Sequence, residues 1–115
     1  MATSEIKSIG NIVENKTGSV SVSPTTITAL NTLNTSDSNA YYLIVAQVSP
    51  TVTQSGKYVQ VRMNGGNVRG ELRNAICTII TRIVKGNGSS ITISTYQDGT
   101  EEQTIDYNLT AVKLF

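Results

Sequence analysis

Several short stretches of this chain place apolar side chains at every second position, the period of a strand with one buried face. The densest stretch is Ala75–Tyr96. Its first part, Ala75 to Val84, is apolar and β-branched, and its last part, Ile91 to Tyr96, alternates Ile with Thr or Ser. Gly86-Asn87-Gly88 lies between them and tolerates positive φ, so the spacing predicts two antiparallel strands and a turn. A hairpin alone is marginal in water, so further strands must cover its apolar face.

The rest of the chain supplies them. Ser19–Ser23 alternates Ser and Val, and Pro24 ends it or marks a sheet edge. Thr25–Leu33 places Ile27, Ala29, Asn31 and Leu33 on one face and Thr26, Thr28, Leu30 and Thr32 on the other. Asn34–Asn39 is a loop by composition. Tyr58–Asn64 alternates cleanly, with Val59, Val61 and Met63 inward and Tyr58, Gln60 and Arg62 outward. Asn64-Gly65-Gly66-Asn67 is a strong hairpin signal, and Val68–Leu72 is the return strand. After a turn at Gln97–Thr100, the segments Gln103–Tyr107 and Leu109–Phe115 close the chain. Expected core positions are Val59, Val61, Ile91, Ile93, Val112 and Leu114. Eight to ten short strands with regular turns and no convincing helix predict an all-β antiparallel sandwich. Residues 1–18 are an irregular arm with at most one strand, at Asn11–Glu14, and residues 19–115 form the sandwich domain.

Ala40–Val48 departs from the alternation. It reads Ala-Tyr-Tyr-Leu-Ile-Val-Ala-Gln-Val, apolar on both faces. A two-layer sandwich buries only one of them. Unmatched apolar patches above a few hundred Å² are rare on monomers, so a second subunit is the expected cover. Tyr41, Tyr42, Ile44 and Val45 are the expected residues of that subunit interface. The competing arrangement folds the N-terminal arm over this face.

Composition narrows the chemistry. The 115 residues carry nine Lys and Arg, eight Asp and Glu, and a net charge of +1 with no basic run, so phosphate neutralisation is not available and nucleic acid is not an expected partner. Histidine is absent, which removes a His general base and any His-ligated metal. Cys77, the one cysteine, sits in a strand pattern and is expected to be a buried small hydrophobe. No apolar run approaches the ~20 residues of a membrane span, and Met1–Glu5 is followed by no apolar signal-peptide core. Cytoplasmic synthesis and no membrane insertion are the expectation. Asn15, Asn34, Asn87 and Asn108 open Asn-X-Ser/Thr triplets, which arise by chance in so Ser/Thr-rich a chain.

Few groups remain for a site. Asp98, Glu101, Glu102 and Asp106 could supply a glycosidase carboxylate pair or calcium ligands. Adjacent acids in a polar, turn-rich stretch are more simply a solvated loop, so no enzyme, no metal and no cofactor are expected. Tyr58, Arg62, Arg69, Tyr96 and Gln97 form a possible ligand-binding set, in which aromatic faces stack on sugar rings and Arg and Gln donate hydrogen bonds. The same residues would suit a subunit interface, where Tyr and Arg are enriched.

A family resemblance joins these elements. Tyr41-Tyr42-Leu43-Ile44-Val45 comes first, then the alternating strand and Gly-rich turn of Val59–Gly66. Ile83-Val84-Lys85-Gly86-Asn87-Gly88, Ile91-Thr92-Ile93 and a terminal Leu109-Thr110-Ala111-Val112-Lys113-Leu114 follow. The order resembles the tumour-necrosis-factor-like jelly roll shared with the heads of complement-type collagenous proteins, and many phage and bacterial-surface fibre heads are similar. The likeness spans residues 19–115 by strand order and spacing more than by identities. It implies a ten-stranded homotrimer with an apolar threefold axis, non-enzymatic, binding receptors or glycans at loops and subunit clefts. The expected function is thus the trimeric head of a phage tail, baseplate or capsid fibre, virion-associated and attaching to a host-surface glycan or protein receptor. A monomeric carbohydrate-binding module is the alternative.

Overall fold

The computed structural model describes residues 11–51, 54, 56–63, 66–72 and 77–114. Its elements are all strands: β1 (Asn11–Val22), β2 (Thr28–Thr35), β3 (Tyr41–Pro50), β4 (Tyr58–Met63), β5 (Gly66–Glu71), β6 (Thr78–Lys85), β7 (Ser89–Gln97) and β8 (Gln103–Lys113). They form two antiparallel four-stranded sheets, ordered β1-β8-β3-β6 and β2-β7-β4-β5, which we call the first and second sheet. Among consecutive strands only β4 and β5 are neighbours in one sheet. Every other connection crosses between sheets, the order of an eight-stranded jelly roll.

That order corrects the expected hairpin of Ala75–Tyr96. β6 pairs with β3 in the first sheet, while β7 pairs with β2 and β4 in the second. The turn between them joins two layers instead of two neighbouring strands. Gly86 N donates to Ala40 O at 2.8 Å and Asn87 N donates to Thr35 O at 2.9 Å, so the backbone is bonded to the β2–β3 connection. The Asn87 amide holds the bend, its Oδ1 accepting from Thr35 Oγ1 at 2.8 Å and from Ser89 N at 3.0 Å. A Cβ on Gly86 would meet the carbonyl of Asp37, so this crossing requires glycine. The β4–β5 hairpin does form, running from Tyr58↔Glu71 to Met63↔Gly66. Asn64 and Gly65 of its turn lie outside the described residues.

The core lies between the sheets. Val59, Val61, Ile91 and Ile93 are buried there, as their alternation predicts, with Leu33, Ile44, Val48, Leu72, Ile105 and Leu109. Val112 and Leu114 are not in it. β8 pairs Leu109 with Ala46 and Ala111 with Ile44, which puts Leu109 and Ala111 inward and turns Val112 to the outside, opposite Leu43. β2 is bulged between Ala29 and Asn31, which breaks the expected alternation of Thr25–Leu33. Leu30 and Leu33 are therefore both buried, and Ile27 is 56% exposed.

β1 departs furthest from expectation. It pairs with β8 from Asn11↔Lys113 to Val22↔Gln103, so a domain boundary at residue 19 falls within it. Residues 1–10 lie outside the described residues. The inward positions near its start are polar. Lys16 Nζ donates to Thr32 O at 2.8 Å and to Asn31 Oδ1 at 3.3 Å, and lies 3.3 Å from Glu14 Oε2. Glu14 Oε1 accepts from Asn34 N. These contacts fasten the first sheet to β2 of the second at the edge where β1 and β2 meet.

Candidate functional site

Two outer faces carry the candidate residues. On the first sheet the registers align Ile12, Val112, Leu43 and Ile83 in one row across all four strands. Ile12 is 70% and Ile83 65% exposed. Tyr41 and Leu114 flank the row at one end, where Leu114 N donates to Tyr41 O at 2.8 Å. Further along, Val45 stands between Thr81 and Thr110, and Ile79, half exposed, lies opposite Gln47. Four strands at ~4.8 Å and four outward rows at ~6.8 Å give a face of roughly 500 Å².

Of the four residues expected at a subunit interface, Tyr41 and Val45 point out from this face. Tyr42 and Ile44 point into the core, at 2% and 0% exposure. Strand parity decides this: four successive residues of a strand cannot share one side. Tyr42 instead holds the β2–β3 loop, its hydroxyl accepting from Asp37 N at 3.0 Å. Leu43, Ile79 and Ile83 belong to the outer face and were not singled out by sequence, and Val112, expected in the core, joins them there. Only the pairing registers bring them together.

The far end of the same face is polar. Ser19 Oγ donates to Asp106 Oδ1 at 2.5 Å, and an open hollow of about 120 Å³ is lined by Gln47, Ser49, Asp106, Tyr107 and Asn108. Cys77 lies here and is exposed, contrary to expectation. Thr78 and Ile80 take the inward positions at the start of β6, which leaves the preceding residue facing out. Its Sγ is 3.0 Å from Ser49 Oγ and accepts from Gln47 Nε2 at 3.1 Å.

On the second sheet β4, β5 and β7 bring together four of the five residues expected to bind a ligand. Tyr58 pairs with Glu71, Gln60 with Arg69 and Tyr96, and Arg62 with Asn67 and Ser94. The Arg69 guanidinium carbon lies 4.3 Å from the Tyr58 ring centroid, within cation–π range. The Tyr58 and Tyr96 rings are 6.0 Å apart and tilted by 34°. Gln60 sits in the middle and is only 6% exposed although it faces outward. Its longer neighbours wall it in. Its Oε1 accepts from Arg62 Nη1 at 3.2 Å, and its Nε2 donates to Asn67 Oδ1 at 3.3 Å. At the far end Tyr58 N donates to Asp98 Oδ1 at 2.6 Å.

Gln97 is not part of this platform. It is fully buried, with Nε2 donating to Val22 O at 2.9 Å and to Glu101 O at 2.8 Å, while Oε1 accepts from Gly99 N at 2.7 Å. It pins the β7–β8 turn to the end of β1. Sequence reasoning missed Gln60, whose alternation marked it as one more solvent-facing residue. The acids expected in one polar loop are divided in the fold. Asp98, Glu101 and Glu102 lie in the turn between β7 and β8, Asp98 bonded to Tyr58 N and the two glutamates exposed, while Asp106 lies on β8 of the first sheet. Among the described residues no three His, Cys, Asp or Glu side chains gather as metal ligands. No helix among them is long and apolar enough to cross a membrane.

The chain matches no protein-family model and no curated protein.

Proposed function

We propose that this chain is a non-enzymatic structural and binding module that assembles as a homotrimer through the outer face of its first sheet. The Ile12–Val112–Leu43–Ile83 row is the observation that carries this reading. An apolar strip crossing a whole sheet gains by being covered, at ~25 cal/mol per Å². The whole outer face, polar end included, is about 500 Å² per subunit, so covering it brings two subunits to roughly 1,000 Å², the lower bound for a specific interface. The strip lies toward one end of the face and leaves the Ser19, Asp106 and Ser49 end hydrophilic, which suits subunits converging on an axis at that end. In the finer reading the trimer is the head of a phage tail, baseplate or capsid fibre, virion-associated and holding a host-surface glycan or protein receptor. Jelly-roll strand order and an outer face fit for assembly support it.

Sedimentation equilibrium at 1–100 μM tests the assembly. A mass three times that of the chain is the expected result; a monomer throughout refutes it, and a dimer replaces the threefold arrangement with a twofold one. A second reading, a monomeric carbohydrate-binding module, is favoured by one observation, the Tyr58–Gln60–Tyr96 platform on the opposite sheet. It predicts the monomer mass together with saccharide binding.

A further inference from the structure

The second sheet's platform has a built floor and a directional charge pattern. We infer that it binds an acidic saccharide, with a carboxylate or sulfate held between Arg62 and Arg69 and the sugar ring lying over Gln60 against Tyr96. The inference rests on the reading of this chain as an attachment module and names the ligand class of that module.

Three observations carry it. Gln60 is more than nine-tenths buried on an outward-facing position, and hydrogen bonds from Arg62 and to Asn67 fix its amide. A buried amide at the base of a ring of long side chains is a preorganised donor and acceptor for hydroxyl groups. Next, the two tyrosines and the two arginines surround it on adjacent strands. Arg69 lies directly across from Gln60, and Arg62 is two residues along β4, so the guanidinium-bearing residues are diagonal neighbours, ~7–8 Å apart at the backbone. The Arg69 guanidinium lies over the Tyr58 ring and Arg62 donates to Gln60, so the two cations bracket the Gln60 amide from opposite sides and an oxyanion over that amide lies between them; guanidinium forks suit such oxyanions. Last, the charges are segregated. Glu71 and the Asp98 carboxylate, which accepts from Tyr58 N, both lie at the Tyr58 end, away from Arg62 and Asn67. A bound anion is thereby oriented toward the Arg62 end, while neutral hydroxyl groups face the Tyr58 end.

The probes are sialyllactose for a carboxylate, a heparin tetrasaccharide for a sulfate, and lactose as the neutral control. Each is titrated into the intact native protein by calorimetry at low and physiological salt. At least one acidic probe is expected to saturate in the micromolar-to-millimolar range, with lactose at least tenfold weaker. Arg69→Ala and Tyr96→Ala should each weaken the acidic probe at least tenfold while leaving the melting temperature and the sedimentation mass unchanged. Ile83→Arg, on the opposite sheet, should leave the intrinsic affinity per chain unchanged even if it dissolves an oligomer, so a failure of assembly and a failure of this site are read separately. Binding unaffected by the Arg62→Ala, Arg69→Ala double variant overturns the inference, as does lactose binding as tightly as the acidic probes. Absence of saturable binding by either acidic probe also overturns it, and leaves a protein receptor as the partner for this face.

Discussion

Ile44 and Val45 are neighbours on the same strand and face opposite sides of it, so the two truncations Ile44→Ala and Val45→Ala should behave very differently. Ile44 is 0% exposed between the sheets, and Val45 is half-buried on the outer face. Removing the buried Ile side chain loses its transfer free energy and leaves a cavity that a sheet sandwich closes poorly, a cost of about 2–5 kcal/mol. For a domain of this size each kcal/mol moves the melting midpoint by ~4 °C, so Ile44→Ala should melt ~8–20 °C below the parent. Val45→Ala removes two methyl groups from a side chain already in partial contact with water, and costs less than about 1 kcal/mol in the isolated chain. Its larger effect should appear in the concentration dependence of melting, because side chains covered by a second subunit stabilise through mass action. Thermal melts by circular dichroism at 2 μM and 200 μM read both quantities. Equal losses for the two variants at 2 μM would refute the assignment of faces on β3. A Val45→Ala midpoint with the same concentration dependence as the parent would remove Val45 from any interface.

Other expected outcomes follow from particular contacts. Ile83→Arg places a charge at a position 65% exposed, so folding should be nearly unaffected while a multimer shifts to monomer in sedimentation velocity. Gly86→Ala drives a methyl group into the Asp37 carbonyl, a backbone atom that cannot rotate away, and should lower the midpoint by at least ~8 °C, about 2 kcal/mol. Gln103 is 1% exposed and both atoms of its amide lack a hydrogen-bond partner among the described residues, so Gln103→Leu should raise stability by about 1 kcal/mol in urea titrations; a loss of that size would contradict it. Asp37 and Lys113 pair at 2.8 Å. The hydrogen bond from Lys113, and then the one from Asn39 N, hold the Asp37 carboxyl below its usual range, while the Asp37 hydrogen bond raises Lys113. The aspartate's share of stability is therefore present above its unfolded pKa of ~3.9 and lost as pH falls through the lower folded value. The lysine's share is present below ~10.4 and lost as pH rises through the higher one. Asp37→Asn should flatten both limbs of a melting profile against pH, and a profile unchanged at either limb would contradict the pairing.

The sandwich was legible wherever one face of a strand meets the core and the other meets water. β4 and β7 satisfy that condition, and Val59, Val61, Ile91 and Ile93 face inward as alternation requires. Alternation carries no information about partners. The Gly86-Asn87-Gly88 bend looks the same in sequence whether the next strand returns beside the last or crosses to the other layer. The difference lies in long-range hydrogen bonds to Ala40 and Thr35. Only the ends of β1 were read, at Asn11–Glu14 and Ser19–Ser23, and its middle was missed for another reason. Its inward residues include Glu14, Lys16 and Gly18, and Gly18 is the place where the Tyr107 ring comes so close that a Cβ would lie 2.7 Å from its hydroxyl. A strand whose inner face is polar or empty at half its length leaves no periodic apolar signal.

The outer faces were legible only in part because a face is a property of several strands at once. The excess of apolar residues in Ala40–Val48 implies an outer surface needing cover, and that inference requires only the strand's own composition. Assigning residues to the surface requires the phase of each strand, and where both parities are apolar the sequence is silent on phase. Choosing Ile44 with Val45 mixed a core residue with an outer one. Ile83 and Val112 could not be chosen at all without the registers Leu43↔Ile83 and Leu43↔Val112. The second sheet shows the converse. Tyr58, Arg62, Arg69 and Tyr96 have strand-outward parity and converge because β4 is flanked by both β5 and β7. Gln97 follows Tyr96 and so has the inward parity that buried it. One step in phase thus separates a platform residue from a structural clasp, and the same step separates Val45 from Ile44.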